Sequence, residues 1–296
     1  MKVLVLHSWG MGDMIMATPM MRTLSYNGYK VDLVTFSNIN KIILKDNDFI
    51  NNIFVVDSKW KLLRFCKQYD YLVATAGTNP KKVKLANYFI QAKKFFVLPQ
   101  QKDIHRIDVN LNTISSLVDK LYKNPYIFLQ KTNNITKYLA KDKKNIGFAI
   151  GSGAKQKFKR WDKYKELIKK LDGNKLIFIG PDEIELEKEF ASIDATIVKE
   201  DILDTIYLIS KLDLLVGNDN GLMHIGYATD INTVGIFGMT NEKETGKYSH
   251  GTVVCMPMSC RPCFESSTDF LGCDDYQCLY QISTNKVLKE CQKYLS

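Results

Sequence analysis

Short apolar runs alternate with helical stretches along the chain, and the series runs through once and then restarts. The first series places strands at Lys2–His7, Val31–Phe36, Ile53–Val56, Tyr71–Ala74 and Phe95–Leu98. Helices are predicted between them at Met14–Ser25, Trp60–Gln68 and Lys81–Gln91. The second places strands at Asn145–Ile150, Lys175–Ile179, Ala195–Val198, Leu214–Val216 and Thr233–Phe237. Its helices are predicted at Asp162–Leu171, Glu183–Phe190, Ile202–Leu212 and Leu222–Ala228. Strands this short and this continuously apolar are buried on both faces, which requires parallel sheets covered by helices. The predicted fold class is therefore α/β, two Rossmann-like domains facing each other across a cleft. The charged run Lys141-Asp142-Lys143-Lys144 is the expected linker, giving domains 1–144 and 145–284. A last helix within 285–296 is expected to pack back on the first domain.

At 296 residues, with 45% apolar and 25% charged residues, the chain is globular and has enough material for two cores. No apolar run is long enough to span a bilayer, and the opening residues lack the form of a signal peptide, so a cytoplasmic protein is expected. Charge is divided unevenly. Residues 1–145 hold 23 Lys and Arg against 10 Asp and Glu, and the remainder hold 18 against 22. An anionic partner should therefore approach the first half, whether nucleic acid, an acidic membrane or a charged glycan.

Three strand-to-helix turns carry the chemistry. The first, Gly10-Met11-Gly12-Asp13, lacks the third glycine of a dinucleotide fingerprint but sets Asp13 at a helix N-terminus. A carboxylate there is either a cap or, kept ionised by the helix dipole, a general base. The second is Gly151-Ser152-Gly153-Ala154, followed by Lys155, Lys157, Lys159, Arg160 and Trp161. It suits phosphate without P-loop spacing. The third, Asn218-Asp219-Asn220-Gly221-Leu222-Met223-His224, turns at Gly221 and opens a helix whose first N–H groups suit a diphosphate, with His224 adding a donor.

In order along the chain, these turns resemble glycosyltransferase family 9, the heptosyltransferases of lipopolysaccharide core assembly. The matching pieces are Gly12-Asp13 with Ala17-Thr18-Pro19, Gly151-Ser152, Lys159-Arg160-Trp161 and Ile179-Gly180-Pro181. Gly217 through His224, Val234 through Thr240 and the late cysteines complete the set. The resemblance implies a GT-B fold with acceptor sites in the first domain and the donor in the second. It also implies inversion at the anomeric carbon, with Asp13 as base, Lys159 stabilising the leaving diphosphate, and no catalytic metal or other required cofactor. Donor contacts are implied at Gly12, Ser152, Asp219, Asn220, Gly221, Leu222 and His224. An acidic residue near the nucleoside falls at Glu183 or Glu185, with Glu185 taken as the site residue. The family has Ser or Thr where this chain has Asn220, a longer donor.

The implied partners are a nucleotide sugar, with ADP-heptose favoured, an anionic glycolipid or oligosaccharide acceptor, and the inner leaflet of the cytoplasmic membrane. Every cysteine except Cys66 falls at or after Cys255. Cys260, Cys263, Cys273 and Cys278 have the density of a structural zinc or iron site, although the second pair lacks ribbon spacing, and thiols without metal are the competing reading. The alternatives are a related transferase using another nucleotide sugar, or a non-catalytic module binding sugar nucleotide or nucleic acid. Against nucleic acid, the sequence has no clustered basic helix and no aromatic RNP-like motif.

Overall fold

The structure is a computed structural model describing residues 1–130, 135–246, 248, 250–263, 273 and 275–296, without the side chains of residues 154, 155 and 182. It divides into two compact units, Met1–Phe128 and Leu129–Ser296. The first carries strands β1 (Lys2–His7), β2 (Lys30–Thr35), β3 (Asn52–Val55), β4 (Tyr71–Ala74) and β5 (Lys94–Phe96). Its helices are α1 (Met11–Tyr26), α2 (Asn38–Ile43), α3 (Pro80–Ile90) and α4 (Arg106–Thr113). The second carries β6 (Asn145–Ala149), β7 (Asn174–Phe178), β8 (Thr196–Val198), β9 (Leu214–Asn218), β10 (Thr233–Phe237) and β11 (Thr252–Cys255). Its helices are α5 (Tyr164–Lys170), α6 (Ile184–Phe190), α7 (Ile202–Ile209), α8 (Gly221–Ala228), α9 (Glu242–Thr245), α10 (Gln277–Tyr280) and α11 (Thr284–Leu295).

Both sheets are wholly parallel, ordered β3-β2-β1-β4-β5 and β11-β10-β9-β6-β7-β8. In each, the strand that opens the unit lies at the centre and the order reverses beside it, so the loops leaving β1 and β4, and those leaving β6 and β9, flank a topological switch point. The sequence dictates this. Val3, Leu4 and Val5 are fully buried, as are Ile146, Phe148 and Ala149, because a central strand is covered on both faces.

Helix α1 runs through Pro19 without ending there. The missing N–H would leave the Ile15 carbonyl open, and the Thr18 hydroxyl donates to that oxygen at 2.7 Å. A strap from residues 117 to 128 covers the outer side of α1, where Tyr122 N donates to Thr23 Oγ1 and Tyr126 N to Thr18 Oγ1.

The units divide before the expected linker. Residues 135–144, assigned above to the first domain, are tied into the second unit: Tyr138 OH donates to Glu200, and Asn174 donates to the Tyr138 carbonyl. The last helix, α11, is part of the second unit. It packs on α5 and across β9, β10 and β11, since Val287 and Cys291 are fully buried in that core. The helix expected at Trp60–Gln68 is a 3-10 helix over Lys59–Phe65, while α4 and β11 were not foreseen.

Candidate active site

In the second unit, three loops from the carboxyl ends of the strands meet around one buried ion pair. Lys159 closes the 3-10 turn Ala154–Lys159 that leaves β6, and its Nζ lies 3.1 Å from Asp219 Oδ2. Both side chains are nearly buried. His224 Nε2 stands 3.8 Å from the other Asp219 oxygen. Burial alone would raise the Asp219 carboxyl, but the Lys159 ammonium and His224 outweigh it and hold the group well below the usual carboxylate range.

Asn220 caps α8, its Oδ1 accepting from Met223 N at 3.0 Å. The Gly221 and Leu222 N–H groups precede the first intrahelical bond, as the sequence led one to expect. The Asn220 side-chain donor also ties the turn to a neighbouring strand. Its Nδ2 donates to the carbonyls of Ala149 (3.0 Å) and Gly151 (2.8 Å), fastening this turn to the end of β6.

Asn218, quoted in the motif but given no role, does the same from inside the core. It accepts from Trp161 N and Tyr164 OH and donates to the Ile150 and Gly151 carbonyls. The signal was a polar residue closing a wholly apolar strand, a position that demands partners. Tyr248 was missed altogether. Its hydroxyl lies 2.7 Å from His224 Nδ1, and its ring stacks on Tyr227 with centroids 3.9 Å apart. A partner on Nδ1 fixes which way the imidazole presents Nε2.

Ser152 is buried, and its hydroxyl accepts from Arg160 Nε at 3.2 Å. The two candidate carboxylates separate clearly. Glu185 is exposed and paired with Lys157 (2.8 Å) and Arg160 (2.9 Å), which pull its carboxyl down to about 2. Glu183 folds back instead, accepting from Gly180 N at 2.8 Å. Its carboxylate fills the space a side chain at Gly151 would need, 2.2 Å from where a Cβ would stand. Glu183 therefore sits between the ends of β6 and β7, while Glu185 pairs with the basic loop.

In the first unit, Gly12 and Asp13 lie in the opening turn of α1, which begins at Met11, earlier than predicted. Asp13 Oδ1 accepts from Arg106 Nη1, the first residue of α4, and both side chains are mostly buried. Behind them His7 is fully buried, 3.0 Å from Thr75 Oγ1. Burial pushes its imidazole down to about 4 against the pull of Asp13. The unfolded chain thus takes up a proton near pH 6.5 that the folded chain resists until about pH 4, and stability is lost as the pH falls through that window. Urea denaturation should show a loss of about 2 kcal/mol between about pH 7 and about pH 5. His7→Gln should flatten most of it, and an undiminished loss in that variant would place the effect elsewhere.

The late cysteines are all thiols in this structure. Cys278 is buried and its thiol is raised to about 11, first by burial, with Cys263, Cys260 and Cys273 adding to the rise. Among the described residues no group of three or more His, Cys, Asp or Glu has metal-holding geometry.

Two wholly parallel sheets, each ordered about a switch point, give two Rossmann-like units of the GT-B fold class. The model of glycosyltransferase family 9 (heptosyltransferase) matches residues 91–273. Lipooligosaccharide heptosyltransferase 2 of Campylobacter jejuni subsp. jejuni serotype O:6 is 22% identical, covering 99% of each chain. A family 9 glycosyl transferase from Veillonella parvula superposes with a TM-score of 0.81 at 18% identity, covering 99% of this chain and 97% of that one. ADP-heptose lps heptosyltransferase II of E. coli gives 0.73 at 21% identity, covering 100% and 98%. This chain belongs to glycosyltransferase family 9.

Proposed function

We propose that this enzyme transfers heptose from ADP-heptose, with inversion, to an anionic acceptor of the lipooligosaccharide core. The observation that carries the reading is the Lys159–Asp219–His224 cluster beside the open N-terminus of α8. Negative charge grows on the departing diphosphate, and N–H donors, an ammonium and an imidazole are what stabilise it. Asp219 holds Lys159 and His224 in place while the diphosphate is absent, so less reorganisation is needed when it arrives. Glu183 takes the nucleoside side, where a carboxylate can accept from ribose hydroxyls, and Glu185 steadies the basic loop. Asp13 removes the proton of the acceptor hydroxyl.

The deciding experiment incubates the chain with ADP-heptose and a heptose-deficient core oligosaccharide and weighs the products. Gain of one heptose supports the reading. Turnover confined to a different nucleotide sugar from a panel would keep the transferase and replace the donor.

The reading needs no cofactor and gives Cys260, Cys263, Cys273 and Cys278 a structural role. One equivalent of zinc or iron in purified protein would assign them to a metal.

A membrane-bound acceptor, met at the cytoplasmic side of the membrane, is supported by one face of the first unit. Trp60 (63% exposed), Leu63 and Tyr88 (75%) stand in water, with Trp60 edge-on to Phe89 at 5.3 Å. Lys59, Lys61, Lys81, Lys82 and Lys84 surround them in sequence. Exposed aromatics among lysines suit an anionic lipid surface. Sedimentation with phosphatidylglycerol vesicles should carry the protein down at low salt. The double variant Trp60→Ser/Tyr88→Ser should stay in solution with its thermal midpoint unchanged; equal sedimentation of variant and parent would remove this face from the reading.

A further inference from the structure

Asp13 Oδ1, one of the two carboxylate oxygens of the proposed base, is held by the guanidinium of Arg106, and an adjacent cation makes a whole carboxylate a weaker base. The surroundings are built rather than accidental. Asn110, one turn along α4, donates to Met16 O at 3.1 Å and accepts from Ala76 N at 2.7 Å. One buried amide thus fixes α4 against both α1 and the loop leaving β4. In that loop the Trp9 indole lies over Gly77, 3.5 Å from where a Cβ would stand. Trp9 Nε1 and the hydroxyl of Thr78, a residue only 5% exposed, are buried with no partner among the described residues. Buried donors without protein partners are open to a polar ligand or to water. His7 carries no charge here near neutral pH, so among the described residues the cation touching Asp13 is Arg106. The unit itself holds 18 Lys and Arg against 9 Asp and Glu over residues 1–128.

We propose that Arg106 receives a carboxylate or phosphate carried by the acceptor close to its reacting hydroxyl, and that this anion draws the guanidinium off Asp13. The planar fork of an arginine matches both anions, so one group can exchange a protein carboxylate for a ligand oxyanion at small cost. The exchange frees Oδ1 only when an acceptor bearing the right charge has arrived. Arg106 is then a specificity residue as well as a restraint on Asp13. Trp9 Nε1 and the Thr78 hydroxyl supply further donors to the same ligand. The inference rests on the proposed function for the identity of the acceptor, but not for the behaviour of the pair.

The test is calorimetric binding of a deacylated, heptose-deficient core oligosaccharide in three forms: native, carboxyl-reduced and dephosphorylated. The parent should bind the native probe about tenfold more tightly than one of the treated forms, and the form that loses affinity identifies the anion. Arg106→Gln should bind native and treated probes alike. Asp13→Asn should bind the native probe several-fold more tightly than the parent, because the guanidinium no longer has to leave a carboxylate. That gain should vanish in the double variant Asp13→Asn/Arg106→Gln.

Three results would overturn the proposal: equal binding of all three probes by the parent, undiminished native binding by Arg106→Gln, or a gain that survives in the double variant. The accompanying transfer assay separates this from the functional reading. The binding pattern without transfer from ADP-heptose upholds Arg106 and removes the donor assignment. Transfer with KM unchanged in Arg106→Gln upholds the donor and removes Arg106.

Discussion

Asp13→Asn is expected to lower kcat for transfer by at least about a thousandfold, while the affinity for the nucleotide sugar stays within about twofold of the parent. The substitution keeps size and hydrogen bonding but cannot accept the acceptor's proton. The cluster around Lys159 and Asp219 lies in the other unit. Folding should change little. Asp13 sits in the first turn of α1, where losing a negative charge costs about 0.5 kcal/mol, and the ion pair with Arg106 is partly exposed. A pre-steady-state measurement of product formation and a donor titration together decide it. Turnover within about tenfold of the parent would transfer the base role to another group.

The sequence made the alternation of strands and helices legible because each central strand is apolar on both faces, a pattern that depends on no distant residue. Val3–Leu6 and Ile146–Ala149 could be read as buried from their own composition. The loop after β9 was legible for a similar reason: Asp219, Asn220, Gly221 and His224 are neighbours in the chain, and a strand-turn-helix pattern fixes their relative placement.

What stayed hidden depends on contacts between segments far apart. Arg106 meets Asp13 across 93 residues, and nothing local distinguishes it from the other cations of a basic half. Tyr248 reaches His224 from a loop after α9 with no regular pattern of its own. Glu183 folds into the space left by the missing Cβ of Gly151, a backbone detail that spacing alone does not reveal. Asn220 also does something that the motif alone does not reveal. Its longer amide reaches the carbonyls at the end of β6, and so cross-links two loops where a shorter hydroxyl would stop at the helix N-terminus.

Lys159 presents the sharpest separation of catalysis from stability. Lys159→Ala should reduce transfer by about a hundredfold to a thousandfold, the usual loss when one donor to a developing oxyanion is removed. It should also destabilise the fold by about 3 kcal/mol, because it strands the buried Asp219 carboxylate beside a partly compensating His224. A single variant therefore cannot distinguish a damaged site from a damaged protein. Adding Asp219→Asn removes the stranded charge and should return most of the lost stability, since a neutral amide needs no counter-ion. Turnover should not return with it, because the ammonium that meets the diphosphate is still absent. Urea denaturation of the parent, Lys159→Ala and Lys159→Ala/Asp219→Asn, with kcat/KM measured on each, closes the cycle. Recovery of stability without activity makes Lys159 a donor-site cation. Joint recovery of both would make the pair a structural strut and leave the leaving group to α8 and His224 alone.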